Sequence, residues 1–328
     1  MACSALLNIP TGAHGTVQIV YDFVSHAEER FLLEKVSHAG GDSPAPVSEE
    51  AGEGGAGPDG EQATAGPASK AGKSWGWKEL NGRRSMYWGG TLLPSSGSLV
   101  PAPFPSFMDG QWPDVLGRIA ETGVYDDRTG GKGKGKERGP NHVLVNEYLP
   151  GQGILPHTDG PAYLPCTTTL SLGSHTVLCL RSKPAHLTSS YASSDSSAAP
   201  PTENDPSAAS TAEVEKIDLF LPPRSLLVLT GELYSSWLHG IQPLKTDSSE
   251  VLKGCKNWEG WWEWQASQSS SGEEGEEGET EEGRREEVMA RKGLVEAGHG
   301  WERGKRVSLT CRRVEKVRKG LFQVGLRR

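Results

Sequence analysis

The stretch Asn146–Pro165, NEYLPGQGILPHTDGPAYLP, sets a histidine and an aspartate two residues apart, His157 and Asp159, among glycines and prolines. Residues two apart on an extended backbone point the same way, so this pair can offer an imidazole nitrogen and a carboxylate oxygen to one ion. Two ligands do not hold a metal, and a third has to come from elsewhere. The candidates are His142, His175, His186 and His239. His186 lies in low-complexity sequence, and His142 and His175 lie inside strand-like runs, where a hydrogen-bonded structural histidine is the commoner case. His239 follows the apolar run RSLLVLTGELYSSWL and precedes Gly240, at the end of an expected core strand, and is the choice. Two histidines and one carboxylate form the facial triad of non-haem iron(II), which leaves three coordination positions open for co-substrate and oxygen.

An HxD pair recurs by chance roughly once in a few hundred residues, so its company decides its meaning. Asn146 and Tyr148 share one face of the strand that precedes it, and Arg306, Ser308, Thr310 and Arg312 share a face of the last strand-like run. Guanidinium pairs with carboxylate through two parallel hydrogen bonds, so two arginines and two hydroxyls in one row suit a buried dicarboxylate. The competing reading is an edge strand with its charges in water.

Strands are what must position these side chains. HVLVNEYL at 142–149, TTTLSLGSHTVLCL at 167–180, IDLFLPPRSLLVLTG at 217–231 and RVSLTCRRV at 306–314 are rich in branched residues and punctuated by Gly and Pro, the pattern of a β-barrel or sandwich. Ser25 and Glu28 form a capping box that predicts a helix from near Ser25, with Phe31, Leu32 and Val36 inward. A second helix is expected over Pro113–Glu121, with proline in its first turn and Val115, Leu116 and Ile119 inward. The fold class is therefore mainly β with flanking helices, α+β. One domain is expected over residues 1–328, diluted by disordered insertions at 39–73, 184–213 and 246–300, whose compositions bury too little apolar surface to offset chain ordering. The cluster Trp258, Trp261, Trp262 and Trp264 inside the third stands apart: it either packs on the core or binds a protein partner.

Five cysteines, Cys3, Cys166, Cys179, Cys255 and Cys311, show no CxxC spacing, which favours a reducing compartment. No apolar run approaches the ~20 residues of a membrane helix, and no N-terminal signal segment is visible. A soluble, monomeric protein of the cytoplasm or nucleus with no membrane association is expected. The net charge of −8 argues against a nucleic-acid binder only as a sum, because the charge is segregated. Glu and Gly dominate 272–287, while Lys and Arg dominate 303–328; Arg83, Arg84, Lys132, Lys134 and Lys136 could flank a groove for phosphates.

Taken together, NEYLPGQGILPHTDG, the distal LHG and the terminal RVSLTCR resemble the AlkB-like iron(II)- and 2-oxoglutarate-dependent dioxygenases, and SLGSHTVL, PRSLLVL and WKELNGRRSMYWGG agree with the same family. The resemblance covers almost everything outside the three insertions. It implies a double-stranded β-helix, the jelly-roll barrel, with iron at one end. It implies His157, Asp159 and His239 as metal ligands. Arg306 would pair with the distal carboxylate of 2-oxoglutarate, assisted by Asn146, Tyr148 and Ser308, with Arg312 near the proximal carboxylate or the substrate. The implied reaction uses iron(II), 2-oxoglutarate and O2, and removes N-methyl groups from DNA or RNA as formaldehyde, with release of succinate and CO2. The chain departs from the founding AlkB enzymes at Pro161, where an acidic residue that helps read the damaged base is usual, and at Ser308, where Asn is usual. The first departure bears on base recognition and the second on the co-substrate. Two alternatives stand beside this reading. One is an oxygenase acting on a protein or small molecule, since Arg306 and Ser308 also fit the RxS pair of plant-type 2-oxoglutarate oxygenases. The other is a non-catalytic binding module on the same barrel.

Overall fold

In the computed structural model, which describes residues 6–11, 17–39, 76–126, 138–183, 214–268 and 281–318, two antiparallel sheets face one another. The large sheet contains β1 (Leu7–Ile9), β2 (Val17–Val20), β3 (Lys78–Leu80), β4 (Arg83–Trp88), β7 (His142–Tyr148), β9 (Tyr163–Leu172), β12 (Leu226–Thr230) and β16 (Arg306–Val314). Its strand order is β1-β2-β12-β9-β16-β7-β4-β3. The small sheet contains β8 (Ile154–His157), β10 (Thr176–Arg181), β11 (Lys216–Leu221) and β13 (Leu238–Ile241), in the order β11-β10-β13-β8. The short hairpin of β5 (Gly90–Leu93) and β6 (Ser98–Pro101) and the pair of β14 (Thr246–Asp247) and β15 (Trp301–Glu302) lie outside both. From β7 onward the chain passes back and forth between the sheets, which makes the double-stranded β-helix that the resemblance implied.

The period of two along each strand separates two environments. In β16 the side chains of Val307, Leu309 and Cys311 join Met86, Trp88, Val143 and Val145 in an apolar layer. That layer is closed by Leu32 and Val36 of α1 (His26–Ala39) and by Val115 and Ile119 of α2 (Val115–Glu121). Burial of each such aliphatic side chain stabilises the fold by about 1.5–3 kcal/mol. The alternate residues Arg306, Ser308 and Thr310 face the space between the sheets. A one-residue slip would drive the arginines into the helix layer, so the register is strongly specified. β16 lies between β9 and β7, not at an edge, and Arg306 and Arg312 are each 4% exposed, which rules out the reading of charges in water.

The capping box forms as expected: the Ser25 N–H donates to Glu28 Oε2 at 2.8 Å, and the Glu28 N–H donates to Ser25 Oγ at 3.2 Å. Glu28 also accepts from Arg118 at 3.0 Å, which ties α1 to α2. Pro113 is not in the first turn of α2. Asp114, with φ of 54°, separates them and caps the helix by accepting from the Gly117 N–H. The runs 167–180 and 217–231 each divide in two, at Gly173–His175 and at Pro222–Ser225. Each break lets the chain move from one sheet to the other.

The third expected insertion is folded over most of its length. It contains α4 (Ser249–Lys253), α5 (Trp258–Ser267) and α6 (Glu281–Glu296), which follow α3 (Gly231–Ser235) in the chain. Trp258, Trp261 and Trp262 are all buried and pack with Phe220 of β11 into the same apolar cluster as Leu219 and Leu180, while Trp264 meets Tyr21 at a tilt, ring centroids 5.2 Å apart. Trp258, Trp261 and Trp262 thus cover the small sheet. Residues 40–73 and 184–213, from the other two expected insertions, lie outside the described residues, and Ala39 closes α1. Among the described residues no disulfide joins Cys166, Cys179, Cys255 and Cys311, and no helix is long and apolar enough to cross a membrane.

Candidate active site

β8 and β13 pair so that His157 and His239 stand directly opposite, with ring centroids 4.4 Å apart. Their close approach depends on Gly240, where an added Cβ would lie 2.9 Å from the Ile154 carbonyl oxygen and the Pro156 nitrogen. Asp159 follows β8, and one ligand atom from each of His157, Asp159 and His239 lies within 4.8 Å of the others. Nitrogen and oxygen ligands sit ~2.0–2.2 Å from a bound transition metal, so small side-chain shifts let the three share one ion. His157 Nδ1 lies 2.9 Å from the Leu155 carbonyl oxygen, which can only accept, so Nδ1 carries a proton. Burial lowers the His239 pKa to about 4, with Asp159 opposing and His157 and Arg312 acting the same way as burial, so its imidazole is neutral at pH 7. Asp159 Oδ1 accepts from Arg312 at 2.7 Å, whereas Oδ2 is buried with no hydrogen-bond partner among the described residues. An orphaned carboxylate oxygen beside two imidazole rings suits a divalent cation. His239 lies on its own short strand beyond α3, not at the end of the core strand β12 as expected.

The cavity beside this cluster is lined by Asn146, Tyr148, Arg306, Ser308, His157 and His239, against an apolar wall that includes Leu178 and Leu229. Arg306 lies over the Tyr148 ring at 5.6 Å and donates to Ser171 Oγ at 2.8 Å, and its Nε is buried with no partner among the described residues. No acidic side chain among the described residues pairs with it. Burial of this cation lowers its pKa to about 10, with Tyr148 opposing. Such a buried cation favours an anionic partner. Ser171 was not anticipated, although Thr169 and Ser171 alternate with Leu170 and Leu172 in TTTLSL and so mark the cavity face of β9.

Arg312 has a different situation. Burial alone would lower its pKa, but Asp159 and the phenols of Tyr163 and Tyr87 hold it above its ordinary value, and its guanidinium lies 4.1 Å from the Tyr163 ring. The remaining histidines are structural or undescribed. His142 is stacked between Tyr87 and Tyr163, and its Nδ1 is 2.9 Å from the Tyr163 hydroxyl. His175 Nε2 lies 3.2 Å from Asp247, which Arg303 also clamps at 2.6 and 2.7 Å. His186 lies outside the described residues. The expected phosphate groove changes too. Arg84 is held by the buried Glu147 at 2.8 and 3.0 Å, Arg83 Nε donates to Asn146, and Lys132, Lys134 and Lys136 lie outside the described residues.

A jelly-roll barrel whose two sheets bring two histidines and a carboxylate to one cavity, beside a buried guanidinium with no counter-ion among the described residues, is the architecture of a non-haem metal oxygenase. Residues 102–312 match the family described as 2OG-Fe(II) oxygenase superfamily. Over 233 residues, 71% of each chain, the sequence is 30% identical to "Probable RNA/DNA demethylase ALKBH6" of Danio rerio. It is 31% identical over 116 residues, 35% of this chain and 14% of the other, to "tRNA (carboxymethyluridine(34)-5-O)-methyltransferase alkbh8" of Xenopus tropicalis. The solved structure of OsALKBH1 is similar at a TM-score of 0.41 and 14% identity, over 94% of this chain and 100% of that one. The chain belongs to the 2OG-Fe(II) oxygenase superfamily, among its AlkB-like members. It is a dioxygenase whose family uses iron(II), 2-oxoglutarate and O2.

Proposed function

We propose that this dioxygenase holds iron(II) through His157, Asp159 and His239, binds 2-oxoglutarate against Arg306, and demethylates nitrogen atoms of nucleic acid. The observation that carries the reading is the buried Arg306 guanidinium, without a carboxylate partner among the described residues, in the cavity that His157, Asp159 and His239 also line. The nucleic-acid target is supported by the name of the Danio rerio relative and by the AlkB-like motifs.

Iron(II), when bound, supplies the activation of O2 that couples decarboxylation of 2-oxoglutarate to hydroxylation of a methyl group. The side chains bind and orient. Arg306 receives the distal carboxylate, Asn146, Tyr148 and Ser308 offer hydrogen bonds along the same wall, and the 2-oxo acid end then points at the metal ligands. Arg312 fixes Asp159 through Oδ1 and leaves Oδ2 for the ion. Leu178, Leu227, Leu229 and Ile241 keep the wall apolar and limit water around the reacting groups. In balance, 2-oxoglutarate, O2 and an N-methyl group give succinate, CO2 and an N-hydroxymethyl group. The last loses formaldehyde and leaves N–H.

Short methylated RNA and DNA strands incubated with the iron-loaded protein and 2-oxoglutarate test this by mass spectrometry. One succinate for each methyl lost is expected. Succinate release with no change in any methylated strand would overturn the nucleic-acid target and direct the search to protein and small-molecule pools.

A further inference from the structure

β4 pairs with β7 in the large sheet and carries Arg83 to hydrogen-bond reach of Asn146, which lines the cavity. The Arg83 Nε–H donates to Asn146 Oδ1 at 3.1 Å. A guanidinium nitrogen can only donate, so the Asn146 carboxamide must turn its oxygen toward Arg83 and its NH2 group away. Asn146 lines the cavity, is 4% exposed, and its Nδ2 donates to no described residue. An NH2 group held at that wall is a donor waiting for an acceptor.

The turn before Arg83 is anchored as well. Leu80 and Arg83 pair across a two-residue connection, Asn81–Gly82, in which Gly82 has φ of +80°. The Gly153 N–H donates to the Gly82 carbonyl at 3.1 Å, and a Cβ on Gly82 would lie 2.8 Å from the Gly153 carbonyl oxygen. Gly153 immediately precedes β8, the strand that carries His157. The same contact therefore fixes Arg83 and the entry to the metal-ligating strand. Ser85 faces Asn146 directly in the β4–β7 ladder, and Arg83 reaches the carboxamide along the diagonal.

We propose that Arg83 is a positioning residue for the co-substrate: it locks the Asn146 carboxamide so that the NH2 group donates to a carboxylate oxygen of 2-oxoglutarate. The inference rests on the reading of this cavity as the 2-oxoglutarate site. Without Arg83 the carboxamide is free to flip and turn its oxygen toward the anion, which weakens binding but leaves the metal ligands in place.

The test uses the full chain loaded with iron(II), with the 2-oxoglutarate KM and kcat read from succinate release, for wild type, Arg83→Met, Arg83→Lys, Asn146→Ala and the Arg83→Met/Asn146→Ala double variant. Arg83→Met is expected to raise KM about tenfold, the loss of one hydrogen bond to a charged group, with kcat within about twofold. Arg83→Lys, whose ammonium still donates to Oδ1, recovers most of the affinity. Asn146→Ala raises KM, and adding Arg83→Met to it changes nothing further. Asn146→Asp keeps the contact with Arg83 but has no NH2 group, and binds 2-oxoglutarate more weakly than Asn146→Ala. An unchanged KM in Arg83→Met overturns the proposal. So does an equal loss from Arg83→Met in the wild-type and Asn146→Ala backgrounds, which would make Arg83 a direct contact. Failure of the wild type to bind 2-oxoglutarate at all would sink the reading of the cavity, and this inference with it.

Discussion

Arg306 stands directly opposite Tyr148 in the β16–β7 ladder, its guanidinium 5.6 Å from the ring centroid, and no carboxylate among the described residues neutralises it. A charge buried in this way destabilises the free protein and favours the anion-bound form. Arg306→Met is therefore expected to abolish 2-oxoglutarate binding while raising the stability of the free protein by about 1–4 kcal/mol. Urea denaturation without co-substrate measures this. A less stable variant would mean that the guanidinium serves the fold.

Arg312 holds Asp159 at 2.7 Å while lying over the Tyr163 ring at 4.1 Å. Loss of a residue that orients a metal ligand typically weakens metal binding ~10–100-fold. Arg312→Met should show that loss in anaerobic iron(II) titration, with the fold intact by circular dichroism. Unchanged affinity would show that Asp159 needs no such support.

His142 ties stability to pH. Burial lowers its pKa to about 4, and the Arg312 charge acts in the same direction against a backbone hydrogen bond to Gly90. The unfolded chain takes up the proton near the ordinary value of ~6.5, so it binds more protons than the folded chain between the two values. The associated stability is fully present above pH ~6.5 and falls as pH drops toward 4, by up to about 3 kcal/mol. His142→Phe, which keeps a flat ring between Tyr87 and Tyr163, should flatten the dependence of unfolding free energy on pH across that window. An identical slope in the variant would assign the effect to other groups.

Trp258 is 1% exposed and meets Phe220 edge to face at 5.2 Å. Trp258→Ala is expected to cost about 3–5 kcal/mol in chemical denaturation, the range for a large buried aromatic. A cost under about 0.5 kcal/mol, typical of a surface site, would contradict the role of α5 as a cover for the small sheet.

What could be read from the sequence followed the regularity of local patterns. The alternation in RVSLTCRRV gave both the bounds of β16 and the shared face of Arg306, Ser308, Thr310 and Arg312, because a strand buried on two unlike faces writes both into every second residue. The HxD pair was visible as a local spacing, although Asp159 lies past the end of β8. β8 and β13 have only four residues each, and β8 contains a proline, so their pairing, which brings His157 to His239, depends on the barrel. The Arg83–Asn146 contact spans 63 residues and leaves no local trace. The polar, acidic composition of 246–300 concealed α5, yet Trp258, Trp261 and Trp262 lie at i, i+3 and i+4, the spacing of a buried helical stripe.

The most direct measurement is succinate release on admission of O2 to anaerobically assembled protein, iron(II) and 2-oxoglutarate, for wild type beside His157→Ala and Arg306→Ala. The wild type should bind both and release succinate, with His157→Ala losing iron and Arg306→Ala losing 2-oxoglutarate. If folded wild type binds neither, or if either variant retains full turnover, the assignment of His157, Asp159, His239 and Arg306 to the active site is contradicted.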